Sequence, residues 1–180
     1  MPVVRGKDIE VLYSASAIAR RNLELAKEIA SRDYHDLLVI SVLKGSFIFA
    51  ADLIRAMHDV GLSPEVEFIF ISSYGAGTTS GEVRVLRDID NDVAGRDVLL
   101  IDDILESGKT LAFTRKLMME RGAKSCSIAV LLDKRMRRQA DLEADYVGFD
   151  CPDHFVVGYG MDVAHAFREL PFVGVVTGDA

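Results

Sequence analysis

Val98-Leu99-Leu100-Ile101-Asp102-Asp103-Ile104-Leu105-Glu106-Ser107-Gly108-Lys109-Thr110 is the stretch that decides the fold. The four aliphatic residues Val98 to Ile101 read as a strand buried on both faces, as in a parallel sheet. Two adjacent carboxylates follow at the strand's C-terminal end. The short turn from Glu106 to Thr110 then runs into an apolar-periodic helix. In open α/β sheets, ligands collect at the carboxyl ends of the strands. A helix N-terminus with free backbone N–H groups suits a phosphate. The segment therefore offers a phosphate cradle beside a pair of acids suited to sugar hydroxyls or a metal. The plainer alternative is an ordinary strand–turn–helix with solvated acids, and the Ser-Gly-Lys-Thr turn weighs against it. Gly108-Lys109-Thr110 also looks like the tail of a P-loop. That motif needs a glycine five residues before Gly108, where this chain has Asp103.

Outward from this stretch, strands and helices alternate. Ser14 to Ser31 has apolar residues at helical spacing. Leu37 to Leu43 reads as a strand, and Phe47 to Val60 as a very apolar helix stopped by Gly61. Glu65 to Ser73 reads as a strand. Tyr74 to Gly81, with three glycines and no hydrophobic period, reads as a mobile loop. Glu82 to Leu86 alternates as a strand returning beside its predecessor. Asp97 to Asp103 is the central strand and Thr110 to Arg121 its helix. Ser125 to Leu132, Tyr146 to Phe149, Phe155 to Tyr159 and Val173 to Val176 read as further strands. The expected class is α/β, with a central parallel sheet flanked by helices.

The chain has 180 residues, 49% of them hydrophobic, and a formal net charge of −7. This length supports one domain with a sizeable core. A pI near 5.1 argues against nucleic-acid and anionic-membrane partners. Cys126 and Cys151 have neither zinc nor redox spacing, and Cys126 reads as a small core residue. Met1 to Glu10 is polar and charged, so no signal peptide is read, and the cytoplasm is the default location.

Polar residues gather at the ends of the predicted strands. Lys44-Gly45-Ser46, Ser73-Tyr74 with the glycine-rich loop, Asp102-Asp103 with its turn, and Asp133-Lys134 all follow strand C-termini. In a parallel sheet these ends share one edge and converge on one site. Arg135, Arg137 and Arg138 form a basic cluster read as a solvated face or a subunit contact. His165 reads as an exposed helix residue.

The central stretch resembles the phosphoribosyl-diphosphate (PRPP) motif of the type I phosphoribosyltransferases: aliphatics, two acids, two aliphatics, then acid, Ser/Thr, Gly, any residue and Thr. The other strand-end segments, in this order, resemble the hypoxanthine(-guanine) branch of that family. They are Leu43-Lys44-Gly45-Ser46, Ser72-Ser73-Tyr74-Gly75, Leu131-Leu132-Asp133-Lys134-Arg135, and Phe155 to Asp162 followed by Arg168. The likeness covers roughly residues 8 to 176.

The resemblance implies that fold, with a small hood from about residues 1–13 and 150–180 on a single domain. It implies a purine-salvage transferase using PRPP and a 6-oxopurine, with Mg²⁺ as cofactor, working as a homodimer or homotetramer. It assigns Asp102, Asp103, Glu106, Ser107, Gly108, Lys109 and Thr110 to the ribose and 5′-phosphate. Lys44, Gly45 and Arg168 fall to pyrophosphate, and the Lys44 loop is expected to carry a strained peptide bond. Ser73 and Tyr74 fall to a lid, and Lys134, Phe155 and Val156 to the purine. Asp162, Asp102 and Asp103 fall to the metal. Glu106 stands where relatives usually carry Asp as the catalytic base, so its side chain is longer by one methylene. The alternatives are a nucleotide-binding regulator on the same fold and a xanthine-preferring relative.

Overall fold

The computed structural model describes residues 1–74 and 82–177, the side chains of Ser73 and Tyr74 excepted. In chain order the elements are β1 (Val3–Val4), β2 (Lys7–Tyr13), α1 (Ala15–Ala30), β3 (Leu38–Leu43), α2 (Phe47–Asp59), β4 (Glu65–Tyr74), β5 (Glu82–Arg87), β6 (Asp97–Leu105), α3 (Lys109–Glu120) and β7 (Ser125–Asp133). A 3₁₀ turn over Arg135–Arg137, then β8 (Tyr146–Asp150), β9 (Val156–Val157) and β10 (Val173–Thr177), complete the described chain. The mobile loop expected over 74–81 lies, beyond residue 74, outside the described residues.

The main sheet has the order β5-β4-β3-β6-β7-β8. All neighbours pair in parallel except β5, which runs antiparallel to β4. Side chains alternate across a strand, and the two sets fill two cores. Val39, Leu99, Ile101, Ala129 and Leu131 pack with Ile18, Leu25 and Leu53 of α1 and α2. Leu38, Ile40, Val98, Leu100, Ile128 and Val130 pack with Leu111 and Met118 of α3. Burial on both faces is why these strands read as unbroken apolar runs.

The strand order also locates a crevice. From β3 the chain steps to β4 on one side, while β6, β7 and β8 extend on the other. The loops after β3 and β6 therefore diverge, leaving a cleft at the topological switch point.

A second, antiparallel sheet of order β1-β2-β10-β9 joins residues from the two ends of the chain. It covers Ile9, Val157, Phe167 and Leu170. The strand expected over Phe155 to Tyr159 shrinks to Val156–Val157. Gly158, Tyr159 and Gly160 all take positive φ, at 93°, 51° and 95°, which turns the chain out of the sheet. Ser14 caps α1 by accepting from the Ala17 N–H at 3.2 Å.

Candidate active site

The carboxyl ends of β3, β6 and β7 and the loop after β9 meet at this cleft. The Leu43–Lys44 peptide bond is cis. A Cβ on Gly45 would overlap the Asp103 carboxylate, and one on Gly160 would come within 2.8 Å of the Gly45 carbonyl oxygen. Three segments distant in sequence thus touch through glycine backbones. Lys44 is exposed and its Nζ lies 5.4 Å from the centroid of the Phe70 ring.

Asp102 and Asp103 end the inner part of β6, and strand alternation sends them to opposite sides. Asp103 lines a cavity of about 150 Å³ with Ile104, Glu106, Lys134, Phe155, Val156, Met161 and Asp162. Asp102 lines a neighbouring cavity of about 330 Å³ with Ile104 and Glu106 to Gly108, Thr110 and Leu111. Ile104 and Glu106 belong to both, so the two cavities are adjoining halves of one cleft. Asp102 accepts from the Asp103 N–H at 2.9 Å, and Asp103 accepts from the Ile104 N–H at 2.8 Å. Burial pushes the Asp102 carboxyl well up, and the charge of Asp103 pushes it further. Burial also raises Asp103, against the opposing pull of hydrogen bonds and of Arg168. Two carboxylates held this way favour a neutralising partner.

The turn after β6 leads into a helix N-terminus, a place that suits an anion. Gly108 takes φ +82°, a left-handed conformation that glycine adopts without a Cβ penalty, and starts α3 at Lys109. The Lys109 N–H meets the Ser107 Oγ at 3.4 Å. Ser107 and Thr110 are partly buried, and Lys109 is exposed.

Lys134 is the least expected member in its surroundings. It is only 5% exposed, and its Nζ lies 3.1 Å from the Glu106 Oε1. The candidate base-reading cation and the candidate catalytic base are therefore paired with each other. Phe155 is 65% exposed and Val156 is buried, so one cavity wall is an open ring beside a fixed strand. Beside Asp162, Arg168 donates to the Gly160 carbonyl at 2.5 Å and pairs with Asp162 at 3.3 Å, but it lines the cavity between α1, α2 and residues 159–171 rather than the one lined by Lys134 and Phe155. Asp162 also accepts from the His165 N–H at 2.8 Å. His165 is not in a helix: it sits in an irregular turn with φ +71°. Local spacing could not distinguish that turn from a helix. Ser73 and Tyr74 lie at the end of β4, opposite Val83 and Glu82.

The acids and their surroundings fit a hard divalent cation. The donors converging here are carboxylate oxygens, two of them raised by burial. Among the described residues no group of three or more His, Cys, Asp or Glu could hold a metal by itself. A cation would therefore complete its shell from substrate oxygens, as Mg²⁺ commonly does.

Cavity size does not single out this cleft. About 610 Å³ lies between α1, α2 and residues 159–171, and about 460 Å³ at the opposite sheet edge by residues 30–37 and 62–65. Neither is lined by the acid pair.

Sequence reading missed the role of two residues. The Asp133 side chain is fully buried and is met by Arg138 and, at 3.2 Å, by Arg135. Arg135 and Arg137 are solvated as expected. Arg138 is not, its side chain being 12% exposed and turned inward. An arginine in a basic run carries no local mark of the carboxylate that draws it in. Cys126 behaves as expected of a core thiol, with burial pushing it up to about 12.

The phosphoribosyl transferase domain model matches residues 8–164. The hypoxanthine-guanine phosphoribosyltransferase of Bacillus subtilis is 49% identical over 173 residues, covering 94% of each chain. The hypoxanthine phosphoribosyltransferase of Escherichia coli K12 is 42% identical over 172 residues, covering 93% of this chain and 95% of its own. The solved structure of Trypanosoma cruzi hypoxanthine phosphoribosyl transferase superposes with a TM-score of 0.90 at 39% identity, covering 98% of this chain and 95% of that one. With the strand-end cleft already described, these likenesses leave one conclusion: the chain belongs to the phosphoribosyltransferases, in their hypoxanthine(-guanine) branch.

Proposed function

We infer that this chain is a purine-salvage enzyme that transfers the 5-phosphoribosyl group of PRPP to hypoxanthine and guanine, releasing pyrophosphate. The observation that carries the reading is the pair of adjoining cavities sharing Ile104 and Glu106. One offers a phosphate turn and an acid. The other offers a cation, a ring and two more acids.

In this reading the bond from ribose C1 to pyrophosphate oxygen breaks, its electrons leaving with pyrophosphate. The purine nitrogen bonds to C1, and the purine's surplus proton passes to the Glu106 carboxylate. Backbone N–H groups from Glu106 to Thr110, with the Ser107 and Thr110 hydroxyls, hold the 5′-phosphate. Asp102 and Asp103 take the ribose hydroxyls. Lys44, Gly45 and Arg168 hold pyrophosphate, the guanidinium fork suiting phosphate geometry. Phe155 stacks on the purine and Val156 offers backbone to its edge. Lys134 donates to the 6-oxo group, and an amino group offers no comparable acceptor. Asp162, with Asp102 and Asp103, would hold Mg²⁺. When bound, the ion offsets charge on the leaving pyrophosphate.

Lys134 and Glu106 must part for both roles to operate, so substrate entry breaks their 3.1 Å pair. Ser73 and Tyr74 belong to a lid that excludes water during the transfer. The small sheet of terminal strands serves as the hood over the purine side. The working unit is a homodimer or homotetramer. No described helix is long and apolar enough to cross a membrane, and the reading keeps the enzyme in the cytoplasm.

The test is a spectrophotometric assay with PRPP and Mg²⁺ against hypoxanthine, guanine, xanthine and adenine, each with and without EDTA. Metal-dependent turnover of hypoxanthine and guanine, with adenine inert, is expected. No turnover of any base, with PRPP still binding, would overturn the enzyme reading in favour of a nucleotide-binding regulator.

A further inference from the structure

Three successive carbonyls of the phosphate turn are taken from one side by one segment. The Lys134 N–H donates to the Leu105 carbonyl at 2.9 Å. The Arg138 Nε–H donates to the Glu106 carbonyl at 3.1 Å. The N–H groups of Gln139 and Ala140 both donate to the Ser107 carbonyl, each at 2.9 Å. In a trans peptide the N–H of the next residue points opposite to the carbonyl. The N–H groups of Glu106, Ser107 and Gly108 are therefore turned away from residues 134–140. They face the side where Glu106, Ser107 and Gly108 line the 330 Å³ cavity. Among the described residues none of these three finds a backbone acceptor.

Arg138 is the only side chain in this clamp, and it is itself held on three sides. Besides the Glu106 carbonyl it reaches the buried Asp133 carboxylate and the Leu142 carbonyl, the last at 2.5 Å. Its Cδ would lie 3.2 Å from a Cβ on Gly108, so it also packs against the back of the turn. Asp133 directly precedes Lys134, which ties the clamp to the purine side.

We propose that Arg138 is a positioning residue that holds the phosphate turn with its N–H groups aimed at the substrate. The proposal rests on the PRPP reading of the cleft. Arg138 touches no substrate and lines neither cavity. It acts by fixing peptide orientation, so that binding PRPP does not require the turn to be ordered first. A lysine in its place keeps the charge beside Asp133. It cannot direct N–H groups to a carboxylate and two carbonyls in one plane.

The experiment compares the wild-type protein with Arg138→Lys and Arg138→Gln. PRPP binding is read by titration calorimetry with Mg²⁺, hypoxanthine KM at saturating PRPP, and Tm by circular dichroism. The expected result for Arg138→Lys is a PRPP dissociation constant raised about tenfold, with hypoxanthine KM within about twofold of wild type. Arg138→Gln, which keeps one NH2 group as donor, gives the same split if the lysine variant does not fold. A lowered Tm with PRPP affinity unchanged, or equal losses for both substrates, would overturn the proposal in favour of a merely structural arginine. Failure of the wild-type protein to bind PRPP would overturn the parent reading instead, so the two failures are distinct.

Discussion

Replacing Glu106 separates charge from reach at the position proposed as the catalytic base. The Glu106 Oε1 sits 3.1 Å from the ammonium of Lys134, whose side chain is 6% exposed, while the Glu106 side chain is 47% exposed. Breaking a fully buried pair costs about 3–5 kcal/mol, and a surface pair is worth at most about 1. A pair with one buried and one half-exposed member falls between, at about 1–2 kcal/mol. Glu106→Gln removes the charge and leaves Lys134 without it. The expected result is a Tm about 3–6 °C lower. Turnover falls about 10²-fold with hypoxanthine KM within about threefold, because a proton acceptor used in the transition state is lost. Glu106→Asp keeps the acid but retracts it by about 1.5 Å, one carbon–carbon bond. That opens the ion pair without removing the base. The expected result is kcat within about tenfold of wild type and a hypoxanthine KM about threefold lower, because the purine no longer competes with a carboxylate for Lys134. Steady-state kinetics with both substrates varied, beside melting curves of all three proteins, make the comparison. Near-wild-type turnover by Glu106→Gln would refute the base assignment. Equal losses in both variants would refute the argument from reach.

Three further outcomes follow from the acid pair and its neighbours. Asp102 and Asp103 are raised in the folded protein, so between the ordinary carboxylate range and their raised values the native state binds more protons than the unfolded chain, and stability falls as pH climbs through that window. Asp102→Asn should therefore raise Tm at neutral pH by about 2–4 °C, the shift produced by about 1 kcal/mol in a chain of this size. The gain should vanish in acid, below the ordinary carboxylate range, and a lower Tm at neutral pH would contradict it. PRPP with Mg²⁺ at about 100 times its dissociation constant should add about 2.7 kcal/mol, or about 5–10 °C in a thermal melt. EDTA should remove most of that shift if cation and substrate bind together. Gly45→Ala places a methyl against the Asp103 carboxylate and should raise the PRPP KM about tenfold. An unchanged KM would show that the Lys44-Gly45 loop does not hold the substrate.

Legibility in the sequence followed the range of the forces involved. Strands buried on both faces announce themselves in the runs Val98 to Ile101 and Ile128 to Leu132, because every side chain there meets a core. In the small terminal sheet β9 and β10 were legible as strands, but β1 and β2 were not. β2 buries only Ile9 fully, so its sequence Lys-Asp-Ile-Glu-Val-Leu-Tyr carries little hydrophobic signal, and its partner β10 is about 160 residues away in register. At the site, the candidate side chains after β3, β6 and β7 sit where a parallel sheet sends its strand ends, and that placement is legible from where each apolar run stops. Arg138 works through carbonyls, which every residue has. No residue type therefore marks the turn it serves.

The same logic shows how an acidic chain could keep the polyanion site of the proposed function. The raised Asp pair costs stability while the cleft is empty, and Arg168 and Lys134 are both engaged by local acids, Asp162 and Glu106. In the proposed function each of these four charges would start in a compromise that substrate and cation relieve: the acids by a metal, the cations by phosphate and the purine oxygen. Binding exchanges internal pairs for external ones, so the local field changes far less than the charges of the ligands suggest. That exchange requires the uncharged part of the cleft, the backbone amides of the phosphate turn, to be in place beforehand. Unlike a side chain, a misdirected amide cannot be re-aimed by a rotamer change. Preorganisation of the turn from behind and frustration of the charges in front are then two halves of one arrangement, rigid where the donors are peptides and exchangeable where they are side chains.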